Sequence, residues 1–108
     1  MAEVRAVTDD AFDAEVLDST QPVLIDFWAP HCSACRTLAP IVETLAQEYA
    51  GKLKVMTVNT EENPRIATRY AVRAIPNLLF FKDGRVHEQV IGAVPKLRLV
   101  RVIDQLLS

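Results

Sequence analysis

The sequence predicts an α/β protein in which helices cover both faces of a mixed β-sheet. A continuous apolar run over residues 22–29, interrupted once by Asp26, is typical of a central strand buried on both faces. Segments with helical periodicity then alternate with strand-like segments, which predicts parallel strands joined by crossover helices. The last two strands are separated by a turn signal, which predicts an antiparallel pair at the edge of the sheet.

The first predicted element is a short helix within residues 11–19. Phe12, Val16 and Leu17 would lie on one face of this helix and pack against the sheet. The polar residues 8–10 precede it and are plausible N-terminal caps.

A longer helix is expected after the central strand, from about residue 32 to residue 50. Gly51 is typical of a residue that ends a helix, and Pro40 should kink the helix. The inward face recurs at spacings of three and four residues and would contain Cys35, Leu38, Ala39, Val42, Leu45, Ala46 and Tyr49.

The remaining chain predicts three more strands and two helices. Residues 53–59 form a strand, and Asn63 with Pro64 has the pattern of a cap that opens a short helix. Residues 77–91 are two strands joined by a hairpin turn at 82–85. Residues 95–107 form a closing helix whose inward residues are Leu99, Val100, Ile103, Leu106 and Leu107.

Composition restricts the function before any motif is considered. The chain has 108 residues, which suits one domain over residues 1–108, and its net charge is −2 without a basic run. These features argue against nucleic-acid binding. Because the N-terminus lacks a signal-like apolar core and no segment could cross a membrane, we expect a cytoplasmic protein without membrane association.

The chemistry is expected at Cys32 and Cys35, the only cysteines of the chain. Cys32 would lie at a helix N-terminus, where backbone N–H groups and the helix dipole favour the thiolate. Cys35 lies one helical turn further along, on the apolar face, and should be shielded. An activated exposed thiol beside a buried one predicts thiol–disulfide exchange, in which Cys32 attacks a substrate disulfide and Cys35 resolves the mixed disulfide.

The sequence alone also allows two other interpretations of the cysteine pair. The pair could be half of a zinc site, although His31 adjoins Cys32 and His87 alternates to the surface of a strand, so neither histidine suits the ligand geometry. Alternatively, both cysteines could be inert small hydrophobes of the core.

The chain resembles the thioredoxin family over roughly residues 10–107. The resemblance rests on "VLIDFWAP" before the cysteines, "LAPIVETLA" after them, "VNTEENP", "AIPNLLFFKDG" and "IGA", in this order. It implies a central mixed sheet flanked by four helices and the reduction of protein disulfides. It also implies a monomer whose redox centre is the Cys32–Cys35 disulfide, without a bound cofactor, and re-reduction by an NADPH-dependent flavin enzyme, thioredoxin reductase.

The resemblance gives roles to further residues. Asp26 matches the buried acid below the cysteines, and an aspartate in an apolar strand should have a raised pKa that suits it to accept the proton of Cys35, unless it is only a satisfied polar core residue. Ile75 and Pro76 match a cis-proline loop whose backbone pairs with substrate, the alternative being a trans proline that starts a strand. Trp28 and Gly92 would complete an apolar rim around Cys32, although a tryptophan there is otherwise plain core.

The sequence departs from the family around the cysteines. His31, Ser33 and Ala34 stand where the family usually has Trp, Gly and Pro, and the freed Ala34 amide and the Ser33 hydroxyl could stabilise the Cys32 thiolate. A stabilised thiolate predicts a less reducing protein than ordinary thioredoxin. Thr57 replaces a usual lysine, which should raise the pKa of the buried acid further, and Ala74 replaces a usual glycine.

A second class of function, a binding protein with little redox activity, is also compatible with the sequence. The same apolar rim could serve a binding or scaffolding module with little redox turnover, because a fold does not fix a function. Leu97 and Val102 lie off the inward face of the closing helix and could form a weak association surface.

Overall fold

The computed structural model describes residues 4–108 and contains one five-stranded sheet with the strand order β1-β3-β2-β4-β5. Strands β1 and β2 are parallel to β3, whereas β4 is antiparallel to both β2 and β5. The predicted mixed sheet is therefore confirmed. The strands are β1 (Arg5–Ala6), β2 (Val23–Trp28), β3 (Lys54–Asn59), β4 (Asn77–Lys82) and β5 (Arg85–Ile91).

Four helices of the described residues flank this sheet, as expected. They are α1 (Asp13–Leu17), α2 (Ser33–Glu48), α3 (Pro64–Arg69) and α4 (Lys96–Leu107). Helices α2 and α4 pack against one face of the sheet, and α1 and α3 pack against the other. Each face therefore has its own apolar cluster. Within residues 4–108, no helix is both long enough and apolar enough to span a bilayer.

Strand β2 lies at the centre of the sheet and determines where its single carboxyl points. Alternate residues of a strand face opposite sides of the sheet. Ile25 packs in the α1/α3 cluster and Leu24 in the α2/α4 cluster. Asp26 therefore faces α2, the helix that carries Cys35.

The first helix differs from its prediction in type and in its capping residue. It is a five-residue turn with π-type hydrogen bonds, although Phe12 and Val16 are buried as predicted. Among the candidate caps, Thr8 Oγ1 accepts a hydrogen bond from Ala11 N–H at 3.3 Å. Asp9 instead contacts α3. The residue before α1 is Phe12 and no side chain caps the helix, so the prediction that residues 8–10 supply the cap was wrong.

Helix α2 runs uninterrupted through Pro40 and has a narrower buried face than predicted. Ala39 is exposed, so its assignment to the inward face was wrong, and Tyr49 is only half-buried. The helix ends at Glu48, and Gly51 follows with a φ of 83°. A φ of this sign favours glycine, which accounts for the stop signal in the sequence.

Helix α3 is capped from a distant part of the chain. The carboxylate of Asp9 accepts hydrogen bonds from the N–H groups of Arg65 and Ile66, at 3.2 and 2.9 Å. Asn63 is the residue before the helix, but its side chain accepts the N–H of Asp9 at 2.9 Å and forms no capping bond. Asn63 and Pro64 therefore occupy the predicted cap and first helical positions, but the side-chain acceptor for the helix is Asp9 rather than Asn63.

The C-terminal elements follow the prediction closely. Asp83 and Gly84 both have positive φ, 54° and 76°, as the tightest hairpin turns require. Helix α4 begins at Lys96, one residue after the predicted Pro95, and Leu97 is exposed. Strand β1 was not predicted, because its two residues show no alternation and are defined only by their pairing with β3.

Candidate active site

The cysteine pair lies at the junction between β2 and α2. Cys32 is the residue before the first helical position and has extended dihedrals, φ −94° and ψ 107°. Its N–H donates to Ala29 O at 3.1 Å, which fixes the turn between strand and helix. The sulfur of Cys32 therefore lies at the positive end of a 16-residue helix.

The two sulfurs differ in their access to solvent. They are bonded to each other, with a Cα–Cα distance of 5.3 Å. Cys35 is 4% exposed, whereas Cys32 is half-buried and lies nearer the surface. An incoming nucleophile or substrate sulfur therefore reaches Cys32 more readily than Cys35.

The hydrogen bond to the Cys32 sulfur comes from a donor that the sequence did not single out. The N–H of Cys35 donates to Cys32 Sγ at 3.1 Å. The sequence pointed instead to the Ala34 amide and the Ser33 hydroxyl, and Ser33 is exposed on the first turn of α2. A backbone donor on this sulfur stabilises negative charge there once the disulfide opens.

Asp26 is the buried carboxyl of the site. It is 4% exposed, and its Oδ1 atom has no hydrogen-bond partner among the described residues. Burial raises the pKa of Asp26 to about 7, because removal from water disfavours the charged form. Thr57 lies opposite Asp26 in the β2–β3 register and supplies no cation to offset this cost.

A cavity of about 280 Å³ connects Asp26 with Cys35. Both residues line it, together with Trp28 and Thr57. A carboxyl with a pKa near neutrality, placed in the same cavity as a buried thiol, is suited to exchange protons with that thiol.

The loop before β4 lies at the same end of the sheet as the end of β2, because Asn77 pairs with Phe27. The Ile75–Pro76 peptide bond is cis. The backbone of Ile75 makes no hydrogen bond to any described residue, which leaves it available to an added strand. Ala74 is not among the residues with positive φ, so the alanine that replaces the usual glycine causes no strain of that kind.

Gly92 is held beside the cis bond. Its N–H donates to Pro76 O at 2.8 Å, and its φ is 96°. An added Cβ atom would meet nothing within 4 Å, so the space over Gly92 is open. Glycine is required here by the backbone conformation rather than by crowding inside the protein.

Glu61 is a neighbour of the site that the sequence analysis missed. Its Oε2 atom lies 2.8 Å from His31 Nδ1, and both side chains are exposed. Thr60 fixes this loop, because its N–H and hydroxyl both donate to Trp28 O, at 2.9 and 3.1 Å. The two partners are 30 residues apart, so only the fold brings them together.

The histidines do not join the cysteines in a cluster. His87 is exposed on β5, as the strand alternation predicted, and His31 contacts Glu61. Across residues 4–108, no group of three or more His, Cys, Asp or Glu side chains is close enough to hold a metal ion.

Comparison with known proteins identifies a family. The thioredoxin family model matches residues 3–105. The chain is 50% identical over 105 residues to "Thioredoxin 1" of Nostoc sp., covering 97% of this chain and 98% of that protein. It is equally identical over 105 residues to "Thioredoxin 1" of Synechococcus elongatus, with the same coverage.

A chloroplast protein is similarly related. The chain is 50% identical over 103 residues to "Thioredoxin M-type, chloroplastic" of Pisum sativum, which covers 95% of this chain and 60% of that protein. The resemblance seen in the sequence is confirmed by these matches. They extend across almost every element of the described fold.

Proposed function

Because this chain belongs to the thioredoxin family of disulfide oxidoreductases, we propose that it reduces protein disulfides by exchange through Cys32 and Cys35. The observation that carries the proposal is the unequal pair at the start of α2. The more accessible sulfur receives a backbone hydrogen bond, and its bonded partner is 4% exposed. The dithiol itself supplies the two electrons, and the proposal requires no bound cofactor.

The proposed reaction has two sulfur exchanges. The Cys32 thiolate attacks one sulfur of the substrate disulfide, which releases the other substrate sulfur as a thiolate and leaves a mixed disulfide. Cys35 then loses its proton to Asp26 and attacks Cys32 Sγ, which releases the second substrate thiol. The protein ends with the Cys32–Cys35 disulfide, oxidised by two electrons.

Substrate binding is proposed at the rim around Cys32. An extended substrate segment would pair with the free backbone of Ile75, beside Pro76. Trp28 would contribute apolar surface, and the open space over Gly92 would allow the segment to approach closely. The exposed His31 would contribute a polar edge to this rim.

Insulin reduction by dithiothreitol tests the exchange. The protein should accelerate precipitation of the reduced insulin chains, and Cys32→Ser should abolish the acceleration because it removes the nucleophile. Cys35→Ser is the matched control, since it should still attack and should accumulate a mixed disulfide visible by mass spectrometry. Absence of acceleration by the unaltered protein would instead favour the binding-module function.

We also propose that the altered cysteine motif makes the protein less reducing than ordinary thioredoxin. Ser33 and Ala34 leave an additional amide and hydroxyl on the first turn of α2, which favours the thiolate and hence the reduced form. Equilibration with glutathione should give a potential above roughly −270 mV, the value of thioredoxin. The double variant Ser33→Gly with Ala34→Pro should lower the potential, and an unchanged potential in that variant would contradict the explanation.

The remaining proposals concern partners and location. We propose that an NADPH-dependent flavin reductase re-reduces the disulfide, which NADPH consumption with purified thioredoxin reductase would show. A monomer of one domain should give a single species on sedimentation and a single unfolding transition. A cytoplasmic location is part of the proposal, and cell fractionation tests it, since relatives named as chloroplastic also match.

A further inference from the structure

The cavity beside Asp26 has the form of a small binding site. It encloses about 280 Å³ between α2 and the strands β2 and β3. Most of its exposed wall area is apolar, although four polar side chains also line it. The lining residues are Val4, Trp28, Ala39 and Val42 among the apolar ones, and Asp26, Thr57, Arg36 and Glu43 among the polar ones, with Cys35 beside Asp26.

One oxygen of Asp26, which lines this cavity, has no hydrogen-bond partner among the described residues. Asp26 Oδ1 is the only buried side-chain nitrogen or oxygen atom of the described residues in this condition. A buried polar atom without a partner costs about 1–3 kcal/mol, so such atoms are rare in folded proteins. The arrangement therefore favours a bound donor that completes the site.

The surroundings of this oxygen select the chemistry of the donor. An ionised carboxylate accepts hydrogen bonds and repels anions, so a cation with N–H groups suits it best. The apolar walls formed by Trp28 and Val42 suit a short alkyl chain. Arg36 and Glu43, both exposed, bring opposite charges to the cavity and leave no net charge there.

We propose that this cavity binds a short primary alkylammonium ion, whose N–H donates to Asp26 Oδ1 while its alkyl chain packs against Trp28 and Val42. Binding at this site does not require the exchange reaction at Cys32 and Cys35. Thr57 matters for it, because Thr57 lies directly opposite Asp26 and its short side chain leaves the space open.

Binding of the cation is linked to ionisation of Asp26. The ammonium ion binds the carboxylate better than the neutral acid, so by reciprocity its presence favours the carboxylate. At a free concentration about ninefold above its dissociation constant, the ionised form gains about tenfold, which lowers the Asp26 pKa by about one pH unit. The charged or titratable neighbours that line the cavity are Arg36, Glu43 and, in the reduced protein, Cys35.

The test measures this titration directly in the oxidised full-length protein. The Asp26 carboxyl, labelled with ¹³C and assigned with Asp26→Asn, is titrated by NMR in chloride salts of methyl-, ethyl-, propyl- and butylammonium. Binding should tighten by roughly fourfold for each added methylene that is buried. Tetramethylammonium and potassium chloride at equal ionic strength should leave the titration unchanged, because neither supplies an N–H donor.

Two variants remove the site in different ways. Thr57→Lys places an ammonium group of the chain itself opposite Asp26, so the pKa should already be low and added amine should have no effect. Ala39→Leu fills the cavity without touching Asp26 and should weaken butylammonium binding at least tenfold. Thr37→Lys is the control for added charge, because Thr37 is exposed on α2. This variant should retain the full shift of the Asp26 pKa on addition of amine.

Two results would overturn the proposal. One is an equal pKa shift with tetramethylammonium or potassium, and the other is an undiminished butylammonium response in folded Ala39→Leu protein. Because the oxidised protein has no free thiol, neither result depends on whether the protein reduces insulin. A failure of the exchange reaction can therefore be told apart from a failure of this site.

Discussion

Asp26 should make the stability of the folded protein depend on pH, and Asp26→Asn should remove that dependence. The carboxyl is 4% exposed and its Oδ1 has no partner among the described residues. Burial raises its pKa from an ordinary value of 3.8 to about 7. Asparagine has nearly the same shape and does not ionise, so the variant isolates the cost of the charge.

The sign and size of the effect follow from linkage. Since the folded pKa is higher than the unfolded one, the neutral acid favours folding at low pH, and this contribution is lost as the pH rises from about 4 through about 7. The rise in pKa corresponds to about 4 kcal/mol of unfolding free energy at pH 8. Near pH 4 the variant and the unaltered protein should therefore be similar, and above pH 7 the variant should be more stable by about this amount.

Guanidinium unfolding of the oxidised proteins between pH 4 and pH 9 measures this difference. Asp18→Asn is the control, because Asp18 is exposed and forms none of the salt bridges of the described residues. Its difference from the unaltered protein should not follow the curve of Asp26→Asn. A stability gain in Asp26→Asn that is the same at every pH would refute the reasoning, since the cost would then not be that of a charge.

Three further substitutions test the packing that supports the site. Asp9→Ala should lower the unfolding free energy by about 1 kcal/mol, because the N–H groups at the start of α3 lose their acceptor; an unchanged denaturation midpoint would argue against this cap. Gly92→Ala should lower the unfolding free energy by about 1–2 kcal/mol, because the φ of 96° at this position is strained for alanine. It should also slow insulin reduction. A variant as stable as the unaltered protein would mean that the loop relaxes at no cost. Phe12→Ala should cost about 3–5 kcal/mol in thermal or chemical unfolding, because Phe12 is fully buried against Tyr70 and Phe81, and a loss below about 1 kcal/mol would indicate that the α1/α3 cluster collapses around the gap.

Much of the fold was accessible from the sequence because its signals are local. The apolar run of β2, the glycine that follows α2 and the positive-φ turn at Asp83 and Gly84 each depend on a few adjacent residues. The placement of the cysteines at a helix start was likewise predictable, since it needs only the end of one periodicity and the beginning of another. The buried acid was recognisable as a polar residue within an apolar strand.

The features that the sequence predicted wrongly or missed depend on contacts between distant parts of the chain. Ala39 has the spacing of a buried residue, yet it is exposed and lines the cavity beside Asp26. The two residues of β1 become a strand only through β3, and Asp9 reaches α3 across 57 residues of sequence. Neither β1 nor the Asp9 contact leaves a periodic pattern, because the partner that defines each one is far away in the chain.

The sequence by itself determined the order of the four helices and of strands β2 to β5, the cysteine pair at the start of a helix and the position of one acid in the central strand. Only the tertiary structure decided that Asp26 faces a cavity beside Cys35, that His31 meets Glu61, and that the Cys35 amide contacts the Cys32 sulfur. The reason is that backbone preference and hydrophobic periodicity act over a few residues, whereas burial, cavities and contacts between side chains depend on which distant segments the fold brings together.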